Sequence, residues 1–421
     1  MKHRKIKVIG DIMLDIWCDG KYEQKSAEVP INIFQTRKIN FSLGGVGNLC
    51  VNLSSLKIKY DLFSEIGNDH YASKLFDILK KEKINFKPIN SKKITTLKER
   101  FFYKDKQIFR RDIENNILNN RLTKIFIKKV KKNDIILISD YKKGSIDKNL
   151  LIELKKKNCV VFVDPKNKPE YFKDAFLVKP NMEKFEEWCG KFSEKKAFNL
   201  IRKMNWYWLV VSNNKNGIYV FNKHGQKNFY KVGSVKEPNV IGAGDILFSG
   251  IVYNYLNSLD IFTSVELASY ATTQCVSKKK IRKIIKNDFK KNTVFTNGVF
   301  DILHKGHIDL LKFAKKIGKK LIIGINSDKS VKINKGPNRP FNNLKHRIKE
   351  LKKTKLFDKI ITFNEKTPIK LISRIKPDVI VKGDDYSFSK IAGNKISNII
   401  LFKKKNNLSS SKLISSIKIH R

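Results

Sequence analysis

Two short strings in this 421-residue chain bring chemistry-bearing side chains close together. The first is TNGVFDILHKGH, Thr296 to His307. An apolar, β-branched run leads into a tight turn at Asn297 and Gly298, and a helix is expected to start near His304. His304 and His307 are three residues apart, so they share one face of its first turn. The backbone N–H groups of a first turn lack intrahelical partners and attract phosphate. Two imidazoles there can donate hydrogen bonds to phosphate oxygens and to the charge that builds as phosphorus is attacked. Gly306 between them lets a nucleotide approach the backbone. The second string is NVIGAGDILFSG, Asn239 to Gly250. Gly242, Ala243 and Gly244 expose N–H groups at a helix start, an anion hole for a phosphoryl group in transfer. Asp245 beside them can take the proton of an attacking hydroxyl. No G-x-x-x-x-G-K-S/T loop occurs, so any phosphoryl transfer uses a different scaffold.

Elements must hold these groups in place, and a chain this long is expected to form two domains. In the first half, KVIGDIML, DIILISD, CVVFVD, AFLVKPN and WLVVSNN read as strands. Helical patterns such as Gly47 to Leu56 and Tyr71 to Lys81 alternate with them. That alternation predicts a mostly parallel sheet covered on both faces, with active groups at the carboxyl ends of its strands. The basic stretch Ser277 to Asn292 marks the junction, expected on a helix. A second α/β series follows: TVFTNGVF, KLIIGINSD, DKIITFNE, PDVIVKGDD and NIILF. No repeat of solenoid or propeller type is visible.

Composition narrows the classes. A hydrophobic fraction of 41% with 28 Phe excludes global disorder. The net charge of +49 is spread through both halves and is mostly lysine on solvated faces. It therefore predicts no specific nucleic-acid partner, although it favours small anions. Five scattered cysteines without a C-x-x-C pair suit free thiols in a reducing cytoplasm. No apolar run approaches the ~20 residues that span a bilayer. Asp11 and Asp15 interrupt the apolar start, which reads as a buried strand rather than a signal peptide.

The string around His304 and His307 resembles the N-G-x-F-D-x-x-H-x-G-H signature of the cytidylyltransferase-like nucleotidyltransferases. The likeness extends in order through Asp328 and Lys332, Arg339, Arg347, then Lys382, Gly383 and Asp385, and finally LSSSKLISSI. It implies a Rossmann-like domain over 291–421. Thr296, Asn297, Gly298, Phe300, Lys332, Arg339, Lys382, Ser409, Ser410 and Ser411 would bind the nucleoside triphosphate, with His304 and His307 catalytic. Residues 1–283 resemble the ribokinase-like sugar kinases, an α/β sandwich with a small β lid. VIGDIMLD carries Asp11 and Asp15, and SLGGVGNLCVNL carries Gly44, Gly45 and Asn48; the resemblance places these five at the sugar. Asp164, Lys166 and Asn181 would lie near the nucleotide and Asp245 would be the base. TTLKERFFYKDKQIFRRD matches a substrate lid, with Lys98, Arg100 and Arg110 clamping a phosphosugar.

The two halves together resemble the bifunctional heptose-7-phosphate kinase/heptose-1-phosphate adenylyltransferases of lipopolysaccharide synthesis. That resemblance implies ATP and Mg²⁺ as cofactors, phosphosugars as partners, and a homodimer formed through the kinase domain. Metal-ligating residues stay unassigned. Three features depart from the kinase pattern. Lys184 stands where N-x-x-E has glutamate, Asn239 and Ile241 replace the usual Asp and Thr, and the stretch after the last kinase helices is shortened. They leave open an adenylyltransferase whose kinase domain is weakened or structural.

Overall fold

A computed structural model of the chain describes residues 6–86, 89–91, 93–115, 120–233, 235, 240–277, 283–386 and 390–403. It divides into two compact units, Met1–Leu259 with Thr272–Ile285, and Asp260–Ala271 with Lys286–Arg421.

The first unit is built on an eight-stranded sheet in the order Lys227–Tyr230, Ile218–Asn222, Trp208–Ser212, Leu177–Val178, Val160–Asp164, Ile135–Ser139, Ile6–Gly10, Tyr60–Phe63. The last six are parallel and the first two antiparallel. Every residue of Ile6–Gly10 and Ile135–Ser139 is buried, as strands covered on both faces require. Phe126, Leu150 and Leu154 from helices Asn120–Lys129 and Leu150–Lys156 pack with Ile136 and Ile138 in one core layer. Helices Val46–Ser55 and Ala243–Leu256 pack against each other.

A separate sheet of four strands runs Asn32–Gly45, Ile12–Lys25, Leu97–Tyr103, Lys106–Ile113. Its register sets Lys98 between Asp15 and Asp112, and Arg100 between Trp17 and Arg110. Side chains of a strand alternate, so these six share one face. The opposite face carries Ile16, Cys18, Ile39, Phe41, Phe101 and Phe109; Ile39 and Phe109 are 53% and 58% exposed.

The second unit contains a five-stranded parallel sheet ordered Lys359–Phe363, Gly318–Asn326, Lys291–Gly298, Val379–Gly383, Asn398–Phe402. Strand order reverses between Lys291–Gly298 and Val379–Gly383, which opens a crevice at their carboxyl ends. Phe295, Ile372, Ile380 and Ile399 form part of its core. The five strands read from the sequence are all present. The junction differs: among the described residues of 277–292 there is one 3-10 turn, Lys286–Phe289, and no α-helix. The helix before it, Ile261–Val276, ends ahead of that basic run, whose like charges repel along one helix face.

Candidate active sites

The parallel strands of the first unit deliver Asp11, Tyr141, Asp164 and Lys179 to one sheet edge, each at or just past a strand end. Helix Ala243–Leu256 begins over this edge. Its N-cap, Gly242, has φ 74°, a left-handed conformation natural to glycine. A Cβ there would lie 2.6 Å from Asn48 Nδ2. That close approach lets Asn48 donate a 2.7 Å hydrogen bond to Asp245 Oδ2. The Tyr141 hydroxyl lies 3.2 and 3.3 Å from the two Asp245 oxygens. Burial, followed by the charge of Asp164, pushes the Asp245 carboxyl up to about 7, against the bonds from Asn48 and Tyr141 and the charge of Lys179. Such a group changes protonation near neutral pH, which suits a general base. Lys179, itself buried, pairs with Asp164 at 3.0 Å. A Cβ on Gly244 would fall 3.8 Å from the Lys179 ammonium, so that cation faces the first turn of the helix.

On the lid face, Arg100 donates to Asp15 at 2.9 Å in a buried ion pair, and its guanidinium covers the Trp17 ring. Lys98 lies over the Tyr141 ring, 5.0 Å from its centroid, and burial lowers its ammonium pKa. Gly44 leaves room for Asp15, whose carboxylate oxygen would be 2.8 Å from a Cβ at that position. At Gly45 a Cβ would strike the Asp11 carbonyl at 2.2 Å.

Several expected binding residues have partners within the chain. Asp11 accepts backbone N–H groups of Tyr141, Lys143 and Ser145, so its carboxylate fastens that loop. Arg110 is turned to Asp112 in a two-pronged pair on the exposed strand. Asn181 caps helix Met182–Cys189, accepting from Lys184 N at 3.0 Å. Lys184 pairs through its ammonium with Glu187, so its charge is balanced locally. Ile241 sits in the turn before Gly242, and Asn239 lies outside the described residues.

In the second unit, His304 is the N-cap of helix Lys305–Ile317 and His307 its third residue. Their rings stack with centroids 3.8 Å apart, and Phe300 meets His307 edge-on at 5.1 Å. Phe300 has φ 50°, and its ring lies 3.2 Å from where a Gly298 Cβ would be. Thr296 and Asn297 end the preceding strand, and the Asn297 carbonyl accepts from Lys382 at 2.8 Å. Burial brings the Lys382 ammonium down to about 8, with Asp385 opposing. These groups lie together at the crevice where strand order reverses.

Arg339, expected at the nucleotide, donates to Asp301 at 2.9 Å. Asp301 also accepts from the backbone of Phe341 and Asn342. Lys332 is solvent-exposed on helix Asp328–Lys335. Ser409, Ser410 and Ser411 lie outside the described residues. Sequence reasoning named neither Tyr141 nor Lys179, and it left Asp301, the acid of the quoted signature, without a role. Tyr141 and Lys179 each follow an apolar strand; an aromatic or a lysine at such a point reads equally well as core edge or solvated surface.

Residues 3–287 match the pfkB family of carbohydrate kinases, and residues 295–416 match the cytidylyltransferase-like family. The bifunctional protein HldE of Campylobacter jejuni strain RM1221 is 34% identical over 98% of this chain and 97% of its own length. The HldE of Helicobacter pylori strain P12 is 30% identical over 99% of both. The chain belongs to the bifunctional HldE family. Like those HldE relatives it joins a sugar kinase to a nucleotidyltransferase in one polypeptide. Escherichia coli phosphofructokinase-2 superposes on 68% of the chain and 97% of its own with a TM-score of 0.58 at 16% identity. Ribokinase from Thermotoga maritima covers 68% of the chain and 98% of its own at TM-score 0.56 and 20% identity. Both show the ribokinase-like fold of the first unit. No helix among the described residues is long and apolar enough to cross a membrane.

Proposed function

We propose that the first unit phosphorylates the anomeric hydroxyl of heptose 7-phosphate, and that the second joins AMP to heptose 1-phosphate. The observation that carries the first step is the buried Asp245, held by Asn48 and Tyr141 at the open N-terminus of Ala243–Leu256. In this reading Asp245 takes the hydroxyl proton as the sugar oxygen bonds to the γ-phosphorus of ATP and the bond to ADP breaks. The N–H groups following Gly242 and the Lys179 ammonium stabilise the phosphoryl oxygens. Lys98 and Arg100 supply cations to the phosphosugar, while Asp11 holds the loop that carries Tyr141. In the second step the sugar phosphate attacks the α-phosphorus of a second ATP, and the bond to pyrophosphate breaks. His304 and His307 donate to the phosphate oxygens, with Lys382 and the strand end Thr296–Gly298 lining the nucleotide.

Magnesium enters this scheme with the triphosphate, as part of the substrate, which suits an ion that keeps several waters and phosphate oxygens as ligands. The exposed Ile39 and Phe109 on the outer face of the four-stranded sheet, beside its Glu99–Arg111 ion pair, support a homodimer through the kinase unit, and we place the enzyme in the cytoplasm as part of lipopolysaccharide core synthesis. The test uses the full chain. Asp245→Asn abolishes formation of the 1,7-bisphosphate and spares pyrophosphate release from ATP plus heptose 1-phosphate, and His307→Ala does the reverse. Loss of both reactions in either variant would sink the assignment of one chemistry to each unit.

A further inference from the structure

Tyr141 lies between the lid and the base that it helps to hold. It follows the strand Ile135–Ser139, and its backbone N–H is fixed by Asp11 at 2.8 Å. Its hydroxyl reaches both oxygens of Asp245, and its ring carries Lys98 of the lid strand Leu97–Tyr103. Lys98 is the register neighbour of Asp15, which in turn holds Arg100. A continuous series of contacts thus runs from the phosphosugar-facing lid to the carboxylate that would take the proton.

We propose that Tyr141 is a positioning residue that orients the Asp245 carboxylate and transmits the seating of the lid, through Lys98, to that base. A carboxylate free to rotate presents its lone pair to the sugar hydroxyl only part of the time, so two fixed donors, Asn48 and Tyr141, preset its angle. The lid's cation over the phenol ring holds the second donor in place. The inference rests on the kinase reading given above. The groups facing Asp245 are Asn48 and Cys50 from helix Val46–Ser55, Tyr141 from its strand-end loop, Asp164, and Lys179.

The hydroxyl stabilises the charged form of Asp245, so removing it raises the carboxyl pKa. The full chain and its Tyr141→Phe and Lys98→Met variants are titrated by infrared spectroscopy. The protonated-carboxyl band that disappears in Asp245→Asn reports the base without any substrate. Tyr141→Phe is expected to move its midpoint up by about one pH unit, the effect of one hydrogen bond to a charged group. Lys98→Met is expected to move it in the same direction by less. The rising limb of kcat/KM for heptose 7-phosphate should shift with the midpoint, giving roughly a fivefold loss at neutral pH in Tyr141→Phe. Pyrophosphate release by the second unit stays unchanged, and the thermal unfolding midpoint of the first unit reports its folding. An unmoved midpoint in either variant overturns the inference. Moved midpoints in the variants, with a wild-type chain that phosphorylates no heptose 7-phosphate, uphold the positioning role and overturn the substrate.

Discussion

Arg347 offers the sharpest separation of a structural from a catalytic basic residue in the second unit. Its side chain is fully buried. It donates to the carbonyls of Asn342 at 3.0 Å and Val299 at 2.7 Å, and to Asp328 Oδ1 at 2.6 Å. One guanidinium therefore ties the turn after the central strand to the segment before helix Leu344–Lys353 and to the start of helix Asp328–Lys335. Arg347→Met keeps the length of the stem and removes all three bonds. Asp328 is 39% exposed, so water replaces its partner and the ion pair contributes little. The two part-buried carbonyls lose their donor, at about 1–3 kcal/mol each. The sum, about 2–6 kcal/mol, overlaps the cost of breaking a buried charged network. For a unit of this size it lowers the unfolding midpoint by roughly 10 °C. The assay is thermal unfolding of the full chain, with the relevant transition identified by loss of pyrophosphate release. Arg347→Lys should fall almost as far, because an ammonium cannot span three acceptors in this plane. An unchanged midpoint in Arg347→Met, with a raised KM for ATP alone, would refute the reasoning and make Arg347 a nucleotide ligand.

Three further outcomes follow from the same geometry. Because Asp245 must be deprotonated to act and its pKa lies at about 7, kcat/KM for sugar phosphorylation should rise roughly tenfold from about pH 6 to about pH 8; a flat profile would exclude it as the base. Gly242→Ala forces a side chain into a left-handed turn and against Asn48, so phosphorylation should drop at least about tenfold while adenylyl transfer persists. Lys291→Met in the full chain strips Glu266, 1% exposed, of its ammonium partner at 2.5 Å. The stranded carboxylate should lower stability by about 3–5 kcal/mol, and adding Glu266→Leu should restore much of it; equal melting of the single and double variants would refute this.

The sequence by itself determined the two strand series and the two glycine-rich turns that start helices. Those features are local: alternation of apolar residues, the φ a glycine permits and the spacing of His304 and His307 are all written within a few positions. It also supplied Asp245, because an acid directly after G-A-G has one plausible place, the first turn of a helix. The tertiary structure alone decided which polar side chains meet one another. Asp11 receives N–H groups of a loop 130 residues away, and Arg339 pairs with Asp301. Tyr141 and Asn48 meet Asp245 across separations of 104 and 197 residues. No local rule encodes such meetings, since they depend on which strands become neighbours and on what burial demands. A buried polar atom must be satisfied by whatever the fold brings near, and that partner is fixed only when the whole sheet is assembled.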